Sequence, residues 1–244
     1  MVAGMEHDLT KLKEGIQALK MDVTGEQLKK FDKYISLLVE WNKKMNLTAI
    51  VESDEIIVEH FLDSISILEE MTIENYHTII DIGTGAGFPG VPIKILRPNA
   101  RMVLLDSLKK RTEFLKEVSK ELDLLDIEII HSRAEDLARD EAYREKFDFV
   151  VSRAVASLNV LAEYSLPFAK VGGYFVSYKG PAADDELTEA GKAIELLSGQ
   201  KHPFIKEIVV PFSHKTHKLV IIQKNTRTPK KYPRSPGKIK KSPL

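Results

Sequence analysis

Residues 78–90 read Thr-Ile-Ile-Asp-Ile-Gly-Thr-Gly-Ala-Gly-Phe-Pro-Gly. The apolar run Ile79, Ile80 and Ile82 suits a strand buried on both faces, and glycines at alternate positions, Gly83, Gly85 and Gly87, follow it directly. Beyond Gly90, the residues Val91, Ile93, Ile95 and Leu96 have the spacing of a short helix that ends near Arg97-Pro98. Strand, glycine-rich turn and helix N-terminus in this order point backbone N–H groups at a ligand, the geometry of a nucleotide site. The dinucleotide fingerprint G-x-G-x-x-G needs a third glycine where this chain has Phe88, so a pyrophosphate cradle is not expected.

Preceded by Asp81, the Gly-x-Gly-x-Gly loop resembles the first motif of the class I S-adenosylmethionine-dependent methyltransferases. Their ligand has no phosphate, and a wider turn lets backbone approach a sulfonium and a ribose. The resemblance makes Asp81, Gly83, Gly85 and Gly87 candidate cofactor residues.

The composition fits a globular chain with ample core: 244 residues, 43% hydrophobic and 30% charged. Without cysteine there is no disulfide, no Cys-ligated zinc and no thiol nucleophile, which is compatible with a reducing cytoplasm. Met1 to Lys20 is interrupted by Glu6, Asp8, Lys11, Lys13 and Glu14, and no apolar run approaches ~18 residues, so neither export nor membrane insertion is expected. The net charge is zero but unevenly placed. Lys224 to Leu244 holds eight Lys or Arg and no acid, which leaves minus eight on the first 223 residues.

The spacing of Leu28, Phe31, Ile35, Leu38, Trp41 and Met45 predicts an amphipathic helix over 24–45, with Thr24 and Gln27 as a capping box. A weaker helix over 9–19, and one starting at Ser53 with Ile56, Ile57, Phe61, Ile65 and Leu68 inward, complete an N-terminal helical region at 1–76. From Thr78 strands and helices alternate, with further strands at 101–106, 126–130, 147–151 and 172–178. Continuous apolar strands alternating with helices imply a parallel sheet covered on both faces. The last two strands, 205–210 and 218–223, lie close enough for a hairpin, so the final one should run antiparallel. Six parallel strands plus one inserted antiparallel strand is similar to the class I S-adenosylmethionine-dependent methyltransferase sheet, so the expected fold over 77–223 is α/β, a Rossmann-like, seven-stranded, mostly parallel sheet behind an N-terminal helical extension. Residues 224–244 form a basic tail.

Asp106 closes the second strand, where an acid can accept hydrogen bonds from both ribose hydroxyls. After the third strand, Ala134 is small enough for an adenine to lie against it, and Glu135 or Asp136 can accept from the exocyclic amine. Arg153 at the end of the fourth strand needs an anion, because a guanidinium is rarely buried unpaired. The choices are the methionine carboxylate of the cofactor, an RNA phosphate, or a bridge to Asp81 or Glu135. Tyr178 and Lys179 put a ring and a cation on the same rim. His60 suits either a hydrogen-bonded helix histidine or a wall of the substrate site.

In order, Trp41 to Thr48, His60 to Ser64, Asp81 to Pro89, Asp106 to Arg111, Arg133 to Glu135, Ser152 to Val155, Lys179-Gly180 and Lys230 to Gly237 resemble the bacterial 16S rRNA guanine-N7 methyltransferases once called glucose-inhibited division protein B. Nearly the whole chain is covered, and the N-terminal and tail segments are not general methyltransferase features. The resemblance implies methylation of a guanine in the 530 loop of 16S rRNA, within the small ribosomal subunit or an assembly intermediate, without DNA or membrane. It implies S-adenosylmethionine as cofactor, with contacts at Gly85, Phe88, Ala134, Glu135 and Arg153; Ser107, which follows Asp106, is a further cofactor candidate, and no metal is expected. Guanine N7 carries a lone pair and no proton, so no catalytic general base is expected. Lys179, Lys230, Lys231, Tyr232 and Arg234 are the candidate RNA contacts, Tyr232 by stacking on an unpaired base. The tail, rich in proline and cations, should be mobile or lie extended along the sheet domain, and its removal should weaken RNA binding while sparing the cofactor. A non-catalytic RNA-binding protein on the same scaffold is the alternative function, and an NAD-dependent oxidoreductase is disfavoured by the glycine spacing.

Overall fold

The computed structural model describes residues 6–244; the first five residues of the expected helical region lie outside it. Helix α1 (Thr10–Ala18) precedes α2 (Gly25–Met45), which starts where the sequence predicts. The Thr24 hydroxyl accepts from Gln27 N–H and the Gln27 side chain accepts from Thr24 N–H, a complete capping box. Asn46 ends α2 in the left-handed conformation, which an asparagine tolerates better than most residues.

The segment expected to be one helix from Ser53 is α3 (Ser53–Glu55), a π-helical stretch (Ile56–Leu62), α4 (Asp63–Ile65) and α5 (Ile67–Glu70). A π turn holds an extra residue, so it reorients the polar side chains between the buried anchors Ile57 and Phe61.

The alternating part follows as β1 (Thr78–Ile82), α6 (Gly90–Leu96), β2 (Arg101–Asp106), α7 (Lys109–Glu121), β3 (Ile127–His131), α8 (Ala134–Leu137), β4 (Phe147–Arg153) and α9 (Leu158–Ser165). It continues through β5 (Ala169–Lys179), α10 (Ala183–Leu196), β6 (Phe204–Ile208) and β7 (His217–Gln223), and closes with α11 (Pro236–Lys241). The seven strands lie in the order β3-β2-β1-β4-β5-β7-β6. β7 is antiparallel to β5 and to β6, and the other pairings are parallel. This is the expected class I methyltransferase sheet.

The strand period of two divides the core. Ile79, Met102, Leu104, Phe149, Val151, Val176 and Ile221 face one side, where α2, the π stretch, α6 and α7 pack. Ile80, Val103, Leu105, Val150, Phe175, Val220 and Ile222 face the other, with α9, α10 and the tail. The order reverses between β1 and β4, so a crevice opens at the carboxyl ends of the strands there. No helix among the described residues is long and apolar enough to cross a membrane.

Candidate active site

The glycine loop is held from behind. Asp81 is fully buried, and its Oδ2 accepts from Thr84 Oγ1 at 2.7 Å and Gly90 N at 2.9 Å, fastening α6 to the end of β1. Burial pushes its pKa up to about 7, and its Oδ1 has no partner among the described residues. Asp81 thus shapes the loop and does not line the crevice. Gly87 has φ +101°, and a Cβ there would stand 2.6 Å from the Tyr34 hydroxyl and 2.7 Å from Val91. Tyr34 needs that space, because its hydroxyl donates to Ala86 O and so ties α2 to the loop.

In front of the loop, Gly85 (φ +61°) faces open space: a Cβ there would meet only Gly83 O, at 3.9 Å. Its N–H donates to Asp106 Oδ2 at 2.9 Å, while Leu108 N–H donates to Oδ1 at 2.8 Å and Arg111 lies 3.4 Å from Oδ2. A carboxylate has about four acceptor positions, so the oriented Asp106 keeps capacity for a ligand hydroxyl. A cavity of about 590 Å3 opens here, lined by Gly83, Asp106, Ser107, Ala134 and Glu135, with Val155, Val160 and Tyr164 opposite. Its volume and its mixture of acceptors, backbone and apolar surface fit an adenosine carrying an amino-acid arm.

A second cavity of about 610 Å3 adjoins it, lined by Asp63, Arg153, Ala154, Tyr178, Lys179, Glu186, Lys215 and His217. Ala154 faces this cavity and the next residue, Val155, faces the first. Of the expected cofactor contacts, Arg153 lines this second cavity, and Phe88 lines neither but packs beneath Arg153. The anion that Arg153 holds is Asp63, not Asp81 or Glu135. Its guanidinium also donates to Glu59 O at 3.2 Å, lies 3.3 Å from His60 Nδ1 and stands over the Phe88 ring. Phe88 is buried and stacks on His60 with centroids 4.5 Å apart.

Burial and the nearby Arg153 charge lower the His60 pKa to about 4, so its ring is neutral. Thr48 Oγ1 lies 2.8 Å from its Nε2. Asp63 also bonds His217 Nδ1 at 2.8 Å. Burial opposes its ionisation, but His217 and Arg153 outweigh burial and hold its carboxyl below the usual range. Ser213 bridges His217 to Glu59, at 3.0 Å on each side, so the loop before β7 is clamped to the π stretch. Asp63, Glu59 and His217 were not singled out as a site by sequence. The signal available was His60 to Ser64, of which His60 and Asp63 meet Arg153.

Several expected RNA contacts are used internally. Lys179 donates to Glu186 at 2.7 Å and to Ala156 O at 2.8 Å, so its charge is paired. The Tyr178 hydroxyl donates to Ser64 O at 2.6 Å, which packs the ring into the core. The tail lies along the sheet domain and ends in the short helix α11. Tyr232 is buried, so it does not present a stacking face, and Arg234 is committed to the fully buried Glu163. Lys224 is also buried, donating to Leu166 O and Ala169 O beside Glu145. Of the five candidates, Lys230 and Lys231 remain exposed. Lys240 and Pro243 line the first cavity. Among the described residues no cluster of three or more His, Asp or Glu is arranged to hold a metal.

The fold has counterparts among solved methyltransferases. The crystal structure of M. jannaschii TYW2 in complex with AdoMet superposes with a TM-score of 0.54 at 13% identity, covering 72% of this chain and 79% of that one. A SAM-dependent O-methyltransferase from Thermotoga maritima gives 0.52 at 14%, covering 79% and 73%. Sequence relatives are far nearer. The chain is 51% identical to the ribosomal RNA small subunit methyltransferase G of Alkaliphilus metalliredigens over 96% of its own length and 97% of the relative's. It is 53% identical to that of Clostridium tetani over 88% and 89%. The family model described as rRNA small subunit methyltransferase G matches residues 27–216, which takes in α2, the π stretch, the glycine loop and both cavities up to the loop before β7. By its sheet, by that match and by half-identity over nearly full length, the chain belongs to the rRNA small subunit methyltransferase G family.

Proposed function

We propose that the protein methylates N7 of a guanine in the 530 loop of 16S rRNA, in the small subunit or an assembly intermediate, in the cytoplasm. The observation that carries this reading is the pair of adjoining cavities, one built around Asp106 and Glu135, the other ringed by Arg153, Lys215 and His217. Bound S-adenosylmethionine supplies an electrophilic methyl group on a sulfonium. Asp106 accepts from the ribose hydroxyls, Ala134 and Glu135 take the adenine, and the open face of Gly85 receives the amino-acid arm.

The second cavity takes the target base, unstacked from its loop as single-stranded RNA recognition requires. N7 offers its lone pair directly, so no residue has to remove a proton, and His60 is neutral and engaged by Thr48 and Arg153. Recognition has to leave N7 uncovered, which assigns the side chains of this cavity to O6 and the Watson–Crick edge. The protein's contribution is alignment of donor and acceptor and exclusion of water. Neither DNA nor a membrane is part of the reading.

The test is methyl transfer from labelled cofactor to small subunits that lack the modification, followed by mass mapping. A labelled guanine in the 530 loop, with the methyl on N7, supports the reading. Label at another nucleotide or another atom overturns it.

A further inference from the structure

We propose that the C-terminal segment made of helix α11 and the residues after it is a wall of the cofactor cavity, with Lys240 and Pro243 facing the ligand, and that the Arg234–Glu163 pair is the device that positions it. The inference rests on the cofactor reading of the first cavity.

The wall is visible in the lining itself. Lys240 and Pro243 share the cavity with Val160 and Tyr164, which lie four residues apart and therefore on one face of α9. Glu163, between them in the same helix, has no exposed surface. Its Oε1 accepts from Arg234 N at 2.7 Å and Nε at 2.9 Å, and its Oε2 accepts from Nη2 at 2.7 Å. The third nitrogen of the same guanidinium, Nη1, donates to Ser242 O at 3.0 Å, beyond the far end of α11. One arginine therefore grips α9 with one edge and spans α11 from before its start to after its end.

A buried carboxylate is expensive unless fully partnered, and here the partners come from a terminal segment of six helical residues with one fully buried apolar side chain, Ile239. Upstream, Arg144 donates to Thr228 O and Tyr232 O and Arg139 to Pro233 O, so the chain arrives at Arg234 with its direction fixed. Ile239 anchors the helix in the core, and its neighbour Lys240 is delivered to the cavity rim. The other charged groups lining that cavity are Asp106, Arg133 and Glu135, so Lys240 adds a cation and Pro243 an apolar surface to a site otherwise built from strand ends.

The experiment is calorimetric titration with S-adenosylhomocysteine, with stopped-flow dissociation rates, on the full chain and its variants. A chain ending at Ser235 should bind about tenfold or more weakly and release the ligand correspondingly faster. Lys240→Glu combined with Pro243→Gly leaves Ile239 and the arginine anchor in place, and should weaken binding several-fold at an unchanged melting temperature. Arg234→Ala, which does not line the cavity, should raise the dissociation rate of the folded protein, and Arg234→Lys should restore part of it. A role confined to stability would lower the melting temperature without changing the rate from the folded fraction. Asp106→Ala separates the two readings. If it weakens binding while the double variant at 240 and 243 does not, the wall is refuted and the cofactor cavity stands. If Asp106→Ala has no effect, both fall.

Discussion

The N–H of Gly85 donates to Oδ2 of Asp106 across 2.9 Å, joining the glycine loop after β1 to the acid at the end of β2. The loop that leaves room for a ligand and the carboxylate that would hold its ribose are thus set by one another. Asp106→Ala removes acceptors from the ligand and also strands the Gly85 donor. Cofactor affinity should fall by about 1.5 to 3 kcal/mol, the usual cost of losing hydrogen bonds to a charged group. Isothermal calorimetry measures it directly, and an unchanged Kd would remove Asp106 from the site.

Arg153 is expected to matter for the fold as well as for transfer. Its side chain and that of Asp63 are 15% and 8% exposed, so Arg153→Ala leaves a nearly buried carboxylate with His217 alone. Breaking a buried pair from one side costs about 3 to 5 kcal/mol, and the surviving His217 bond sets the expectation at about 3. Urea unfolding should show this loss. A loss below about 0.5 kcal/mol, typical of an exposed position, would return Arg153 to a purely ligand-facing role.

The strand, loop and helix at 78–96 were legible because each signal is local: an apolar run, alternating glycines, then a helical spacing. The sheet was legible for the same reason, since most of its strands are short continuous apolar runs alternating with helical spacings. Asp63 and Arg153 were not paired in advance because they are 90 residues apart, and a carboxylate in a helix gives no sign of which strand end it will meet. The way the tail packs was only partly legible in its composition. Its residues do not form a core alone, but Glu145 and Glu163, each indistinguishable in sequence from an ordinary helix or loop acid, neutralise Lys224 and Arg234 and let Tyr232 and Ile239 join the core formed by α9 and the sheet. The π turn left no trace because its apolar residues also satisfy an α-helical spacing.

Two buried groups should give stability opposite slopes with pH. His60 is lowered from 6.5 to about 4 by burial and by Arg153, so the folded state prefers its neutral form. Its contribution is complete above pH 6.5 and is lost as pH falls toward 4, a difference of about 3 kcal/mol at 1.36 kcal/mol per unit. Asp81 is raised from 3.8 to about 7 by burial, so its contribution is complete below pH 3.8 and is lost as pH rises through 7. Unfolding free energies from pH 4.5 to 8 should show His60→Gln flattening the acid side and Asp81→Asn flattening the neutral side. A His60→Gln curve parallel to wild type would show that the ring keeps its ordinary pKa in the fold.

The electrostatic contact with RNA should reside in the tail cations that the fold leaves outside. Lys230, Lys231, Lys238 and Lys241 are exposed and line neither cavity, whereas Lys224 and Arg234 are consumed by Glu145 and Glu163. Each phosphate neutralised on a single strand contributes a slope near ~0.7 in log affinity against log salt. Replacing these four lysines by alanine should therefore weaken binding of a 530-loop RNA and flatten its salt dependence by up to about 3. Cofactor affinity should be unchanged, because Lys240, Pro243 and the Arg234 anchor remain. Filter binding at several salt concentrations gives the slope, and calorimetry gives the control. An unaltered slope would move the RNA footprint to the exposed start of α7, where Lys109, Lys110 and Arg111 follow Asp106.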